Sequence, residues 1–243
     1  HLDHAGGAGA LMAACPNAEL LVHSRGARHM IDPGKLEQGA LAVYGESRLR
    51  QLFGELIPVP EQRVTVAEDG LELDFNGRSL LFLDTPGHAR HHVCIYDRDS
   101  AGIFTGDTFG VSYPQLNHGR ARYIFPPTTP VQFHPEAWYR SLDRLLALAP
   151  ERVYLTHYGA HGKPAVLAKQ LRQSIAAYVD LALDLADSDN RESRIRAALT
   201  QSAVDYLLDQ DCGLGQQQIR SLLDMDMGLN AQGLEHWLAT RTA

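Results

Sequence analysis

Four short segments carry imidazole and carboxylate side chains in close order, and three of them lie where a strand-like run ends. They are His1-Leu2-Asp3-His4, Asp84-Thr85-Pro86-Gly87-His88, Phe104-Thr105-Gly106-Asp107 and Leu155-Thr156-His157-Tyr158-Gly159. The first leads from a loop into the glycine-rich Ala5-Gly6-Gly7-Ala8-Gly9 and holds two imidazoles and a carboxylate in a fixed spray, which suits a metal. Taken singly, each has a plain explanation: His88 as a turn histidine after Pro-Gly, Asp107 as a turn residue after glycine. Taken together they give six donors, His1, Asp3, His4, His88, Asp107 and His157. Imidazole and carboxylate suit Zn²⁺, and the same shell accepts Fe or Mn. Divalent metal so held polarises an electrophile and lowers the pKa of bound water to about 7. Two ions about 3.5–4 Å apart can share a hydroxide when a carboxylate bridges them.

Between these segments the pattern alternates strands and helices. Gly6 to Ala14 reads as helix, 19–23 as a short buried strand, Ser24 as a helix N-cap, Asp32-Pro33 as a further helix start and 46–54 as helix. Residues 63–67 and 71–75, joined by Glu68-Asp69-Gly70, predict a hairpin, and Asn76-Gly77 predicts a second one leading into 79–84. Strands follow at 92–96, 102–105 and 152–156. The irregular stretch from Gly110 to Pro135 has the length of a functional loop or lid. After Pro135, Trp138, Leu142, Leu145 and Leu146 share one helical face. Beyond Pro164 only helical patterns remain: Leu167, Leu171, Ile175 and Val179, then Ile195, Leu199, Tyr206 and Leu207, then 215–240. The organisation expected is a metal-binding catalytic domain over 1–163 and a helical C-terminal extension over 164–243. The leucine faces of the extension offer core or a homodimer surface.

The chain has 243 residues, 44% of them apolar, enough for a sizeable core, and a formal charge of −7. That charge leaves no basic footprint for a nucleic acid, and no apolar run reaches the roughly 18 residues of a membrane span. A small-molecule substrate is the partner expected. Cys15, Cys94 and Cys212 form no C-x-x-C pair and read as buried free thiols of a reducing, cytoplasmic compartment.

The first seven residues resemble the second half of the H-x-H-x-D-H-x-G-G motif of the metallo-β-lactamase-fold hydrolases. Thr85-Pro86-Gly87-His88, Thr105-Gly106-Asp107 and Thr156-His157 resemble that family's later metal motifs in the same order, over residues 1 to about 160. T-P-G-H with F-T-G-D is most similar to the glyoxalase-II-like branch. The resemblance implies an α/β (α+β) fold, an αββα sandwich, with two metal ions. His1 and His88 would bind the first, together with a further His two residues upstream. Asp3, His4 and His157 would bind the second, and Asp107 would bridge. The sequence therefore reads as starting after an unlisted segment that holds that His and the first part of the sandwich.

The activity implied is hydrolysis of a small thioester, lactone or other ester by a bridging hydroxide that Asp3 orients. No glutathione-binding basic cluster stands out in the tail, and β-lactams fit this branch less well. The rivals are a nuclease or phosphodiesterase of the same fold, for which the positive charge and phosphate-holding motifs are not visible, a persulfide dioxygenase with a single iron, and a metal-binding scaffold without turnover. By the same resemblance His92 takes the place of a supporting histidine. His29 reads as a neighbour of the ligands or as a structural histidine, and His161 as an alternative ligand. Tyr113 and Tyr158 each offer a phenol near the oxyanion or aromatic packing.

Overall fold

Backbone pairing in the computed structural model, which describes residues 1–119, 121–128 and 131–241 (Val43 by its backbone alone), divides the chain into two units, His1–Leu71 and Glu72–Ala243. Each has its own sheet.

The first unit runs α1 (Leu2–Ala5), α2 (Ala8–Ala14), β1 (Leu20–Val22), α3 (Ser24–Ile31), α4 (Gly34–Tyr44), α5 (Glu46–Phe53) and β2 (Val64–Val66). Its core gathers Met12, Met30 and Val59, with Leu20, Val22, Leu36 and Val64 against them. Gly9 lets α2 approach the chain closely, since a Cβ there would lie 1.7 Å from the Ile57 carbonyl oxygen. The Arg63 guanidinium closes the end of α2, donating to the Met12 carbonyl at 2.9 Å, Cys15 at 2.5 Å and Ala18 at 2.7 Å. A cation on carbonyls that a helix end leaves unsatisfied is favourable on both hydrogen-bond and dipole grounds.

Several expectations are corrected here. β2 pairs in parallel with β1, Leu20 opposite Val64, so residues 63–75 make no hairpin. Turn chemistry at Glu68-Asp69-Gly70 is real, with Gly70 at φ +82°, but a turn does not choose the partner of the strand before it. The cap of α3 is His23, whose Nδ1 accepts the Arg25 N–H at 3.0 Å, rather than Ser24. Cys15 is exposed, whereas Cys94 and Cys212 are buried thiols as expected.

The second unit is built on a six-stranded sheet in sequential order: β3 (Glu72–Phe75), β4 (Arg78–Asp84), β5 (Val93–Asp97), β6 (Gly102–Phe104), β7 (Arg152–Tyr154) and β8 (Ala160–Gly162). The Asn76-Gly77 turn joins β3 to β4 with both residues at positive φ, 53° and 84°, which suits the twist of a two-residue hairpin. All neighbours are antiparallel except β6 and β7. A parallel pair needs a crossover, and α6 (Pro135–Leu146) lies in that connection. Its Trp138, Leu142 and Leu145 are fully buried, the face that the spacing predicts.

The helices α7 (Pro164–Asp184), α8 (Arg191–Asp209) and α9 (Gln216–Arg241) follow. Position 163, where the sequence pattern turns purely helical, falls inside this second unit. Leu171, Ile175, Ile195, Leu199, Leu223 and Leu234 belong to the same hydrophobic cluster as Ile103 and Trp138. Tyr206, placed by periodicity on a buried face, is 38% exposed. Among the described residues no helix is long and apolar enough to cross a membrane.

Candidate metal centre

β4 ends at Asp84 and hands the chain to Thr85-Pro86-Gly87-His88, a loop that α6 grips at three points. Ser141 Oγ donates to the Pro86 carbonyl at 2.6 Å, His134 N–H to the Gly87 carbonyl at 2.8 Å, and Arg144 to the Asp84 carbonyl at 3.1 Å. Gly87 is required where it stands, because a Cβ would come 2.5 Å from both Cα and Cβ of Trp138. The loop delivers His88 into the interior, 2% exposed, with its ring edge-on to Trp138 at 5.9 Å. His88 Nδ1 donates to the Pro127 carbonyl at 2.6 Å, which leaves Nε2 as the lone-pair nitrogen.

β6 ends at Phe104, and Thr105-Gly106 then place Asp107, 4% exposed. The backbone N–H of Asp107 donates to His92 Nε2 at 3.0 Å. In the neutral ring Nδ1 is then the protonated nitrogen, and it meets the hydroxyls of Thr85 and Thr108 at 3.3 and 3.1 Å. A side chain at Gly106, which has φ +49°, would strike the His92 ring at 2.5 Å. His92 therefore sits as a support beneath Asp107.

β7 leads to His157, whose carbonyl accepts the Ser112 N–H at 2.6 Å and whose side chain is 28% exposed. The three side chains meet with Asp107 in the middle: Oδ2 lies 3.3 Å from His88 Nε2 and Oδ1 lies 3.6 Å from His157 Nε2. One buried carboxylate thus offers a different oxygen to each of two imidazoles. This donor set fits divalent metal, and the Nδ1 bond of His88 to a backbone carbonyl is the outer contact that metal-bound histidines generally make.

In the first unit His1, Asp3 and His4 lie together on the opening turn. The His1 carbonyl accepts the Ala5 N–H at 2.9 Å, and His4 Nε2 stands 3.3 Å from Asp3 Oδ2. His29 accepts from Arg28 Nε at 3.2 Å. Burial first, then the Arg28 charge, holds its pKa below the ordinary histidine value. His161 is tied through Nε2 to the Tyr158 carbonyl at 3.0 Å, on β8.

Tyr113 and Tyr158 come together with ring centroids 5.2 Å apart, and Tyr158 is 46% exposed. The Tyr113 hydroxyl donates to Asp226 Oδ2 on α9 at 3.0 Å. Burial pushes the Asp226 carboxyl above the usual range, while the Tyr113 hydroxyl draws it back. Asp226 is absent from the sequence-based reading. Its local trace is a polar residue beside the buried Leu223 and Met227.

The model of the metallo-beta-lactamase superfamily matches residues 1–157. A metallo-beta-lactamase fold-containing protein of Sulfurisphaera tokodaii is 29% identical over 180 residues, 72% of this chain and 64% of that protein. A hydroxyacylglutathione hydrolase of Methylococcus capsulatus is 35% identical over 92 residues, 37% of this chain and 30% of that protein. The crystal structure of an archaeal metallo-beta-lactamase superfamily protein from Sulfolobus tokodaii aligns at 27% identity with a TM-score of 0.56, over 68% of this chain and 60% of that one. The chain spans less than two thirds of the length of each of these relatives. With the superfamily pattern running through residues 1–157 and its histidine and aspartate motifs standing at the ends of β4, β6 and β7, this chain belongs to the metallo-beta-lactamase superfamily.

Proposed function

We propose that the chain is a metal-dependent hydrolase that cleaves a small thioester, lactone or other ester at a centre of two divalent ions, zinc in preference to iron or manganese. The observation that carries this reading is the Asp107 carboxylate, which presents one oxygen to His88 and the other to His157. His1, Asp3 and His4 complete the donor set in this proposal. Support comes from the order of the motifs and from a family match that begins at residue 1. The local similarity to a hydroxyacylglutathione hydrolase favours a thioester among the candidate substrates.

When bound, the ions supply a polarising charge for the substrate carbonyl and a water of lowered pKa. The chain's own residues do the rest. His88 is held by the Pro127 carbonyl with Nε2 turned to the Asp107 side. Asp107 is held from below by His92, and in this proposal Asp3 would orient the attacking water. Tyr113 and Tyr158 wall the approach to His157, whose ring lies 6.1 Å from that of Tyr158.

A panel of acyl thioesters, lactones and aryl esters, run before and after chelation and again after zinc is restored, tests the reading. Chelator-sensitive turnover of a thioester or lactone supports it. Full metal occupancy with no turnover across the panel would make the chain a metal-binding scaffold. One iron with oxygen uptake would make it an oxygenase.

A further inference from the structure

We infer that helix α9 is part of the metal centre, and that Asn230 on it is a positioning residue that sets the orientation of His88 across a single peptide plane. The inference rests on the metal-binding reading of His88 above and goes beyond it, because α9 lies outside the segment that the superfamily pattern covers.

Asn230 is 1% exposed and sits among the buried Leu223, Met227, Ala231 and Leu234 of α9. A buried amide is costly unless hydrogen-bonded, so its presence on an apolar face calls for a partner. For the amide oxygen that partner is Thr128, itself fully buried. The Thr128 N–H donates to Asn230 Oδ1 at 2.8 Å, and Thr128 Oγ1 donates to the Asn230 carbonyl at 2.9 Å.

The Thr128 N–H and the Pro127 carbonyl belong to the same peptide unit. That unit is planar, and in the usual trans form its N–H and C=O point in opposite directions. One end of the plane is fixed by Asn230 and the other accepts His88 Nδ1 at 2.6 Å. Proline at 127 narrows the remaining freedom, since its ring fixes φ and removes a competing N–H. Turning the plane would break both bonds at once. The helix thereby holds the proton of His88 on Nδ1 and aims Nε2 at the side where Asp107 Oδ2 stands 3.3 Å away.

The test uses the full chain with zinc and, separately, cobalt as probes. Asn230→Ala removes the acceptor, Asn230→Asp retains an oxygen in its place, and Thr128→Val removes the second bond with little change of shape. Glu235→Gln breaks an ion pair between α9 and Arg191 that is away from Thr128, and so controls for loosening of the helix. Zinc affinity by chelator competition should fall in Asn230→Ala by up to about 10-fold, the low end of the range for a direct partner of a metal-bound histidine, because Asn230 acts one contact further out. The visible spectrum of the cobalt-substituted protein should shift with it. Asn230→Asp should restore most of both, Thr128→Val should move both in the same direction, and Glu235→Gln should move neither.

Wild-type affinity and an unshifted cobalt spectrum in Asn230→Ala, or in Thr128→Val should the former fail to fold, would overturn the positioning role while leaving the metal reading intact. A wild-type chain that takes up no metal would overturn the metal reading and this inference with it.

Discussion

His92 Nε2 accepts the backbone N–H of Asp107 at 3.0 Å and so holds the backbone of the residue whose carboxylate stands between His88 and His157. Replacing His92 by Phe keeps a ring in the space but removes the acceptor for that N–H and one of the partners of two buried hydroxyls, Thr85 and Thr108. The expected loss is about 1–3 kcal/mol of stability, the penalty for stranding a buried polar group. Urea unfolding measures it. Zinc affinity should drop in the same variant, and unaltered affinity would show that Asp107 holds its place without His92.

Gly87 and Trp138 make a second close approach. Gly87→Ala puts a methyl 2.5 Å from the Trp138 backbone and side chain, on a residue at φ +149°. Overpacking of this kind costs about 1–3 kcal/mol. Because His88 is the next residue, thermal melting and metal content should fall together. A stable variant with full metal would mean the loop relaxes without disturbing His88.

That His88, Asp107 and His157 come together was legible because each follows a strand and a short motif marks it. The Asn76-Gly77 hairpin was legible for a similar reason, since the turn itself requires positive φ at both positions. The parallel pairing of β1 with β2 was not, because a parallel partner arrives through a long connection and leaves no mark in the turn that follows. β8 escaped notice because Ala160-His161-Gly162 has neither length nor alternation. Asp226 and Asn230 are visible in sequence only as polar residues four apart beside the buried Leu223, Met227 and Leu234 of α9. Their partners Tyr113 and Thr128 lie 113 and 102 positions away, and no local pattern reports such a pairing.

Strong acid should weaken the pairing between β4 and β5. Asp97, buried at the end of β5, accepts from Arg78 and from Ser100 at 2.5 Å each, and these bonds hold its pKa down at about 2. The folded value lies below the unfolded one of about 3.9. The carboxylate therefore contributes stability that is fully present above about pH 4 and is lost as the pH falls through about 2. Asp97→Asn should lower stability at neutral pH and flatten its decline over that window, as read from denaturation at a series of pH values. An unchanged acid limb would show that other carboxylates govern it.

Arg63 should matter to the first unit far more than a surface arginine does. Its fork serves the Met12, Cys15 and Ala18 carbonyls together, a geometry that a lysine cannot reproduce. Arg63→Lys is expected to lose about 1.5–3 kcal/mol, the range for hydrogen bonds to a charged group. Amide exchange across residues 8–18 should quicken. Unchanged protection there would show that α2 is held by the Met12–Met30–Val59 core alone.

The most direct test of the account is the metal content of the protein by elemental analysis, measured beside an Asp107→Ala variant that melts as a folded protein. The account predicts close to two equivalents of divalent metal in the parent, the number that a bridging carboxylate serves, and a sharp fall in the variant. No metal in the parent, or the same content with and without Asp107, would contradict it.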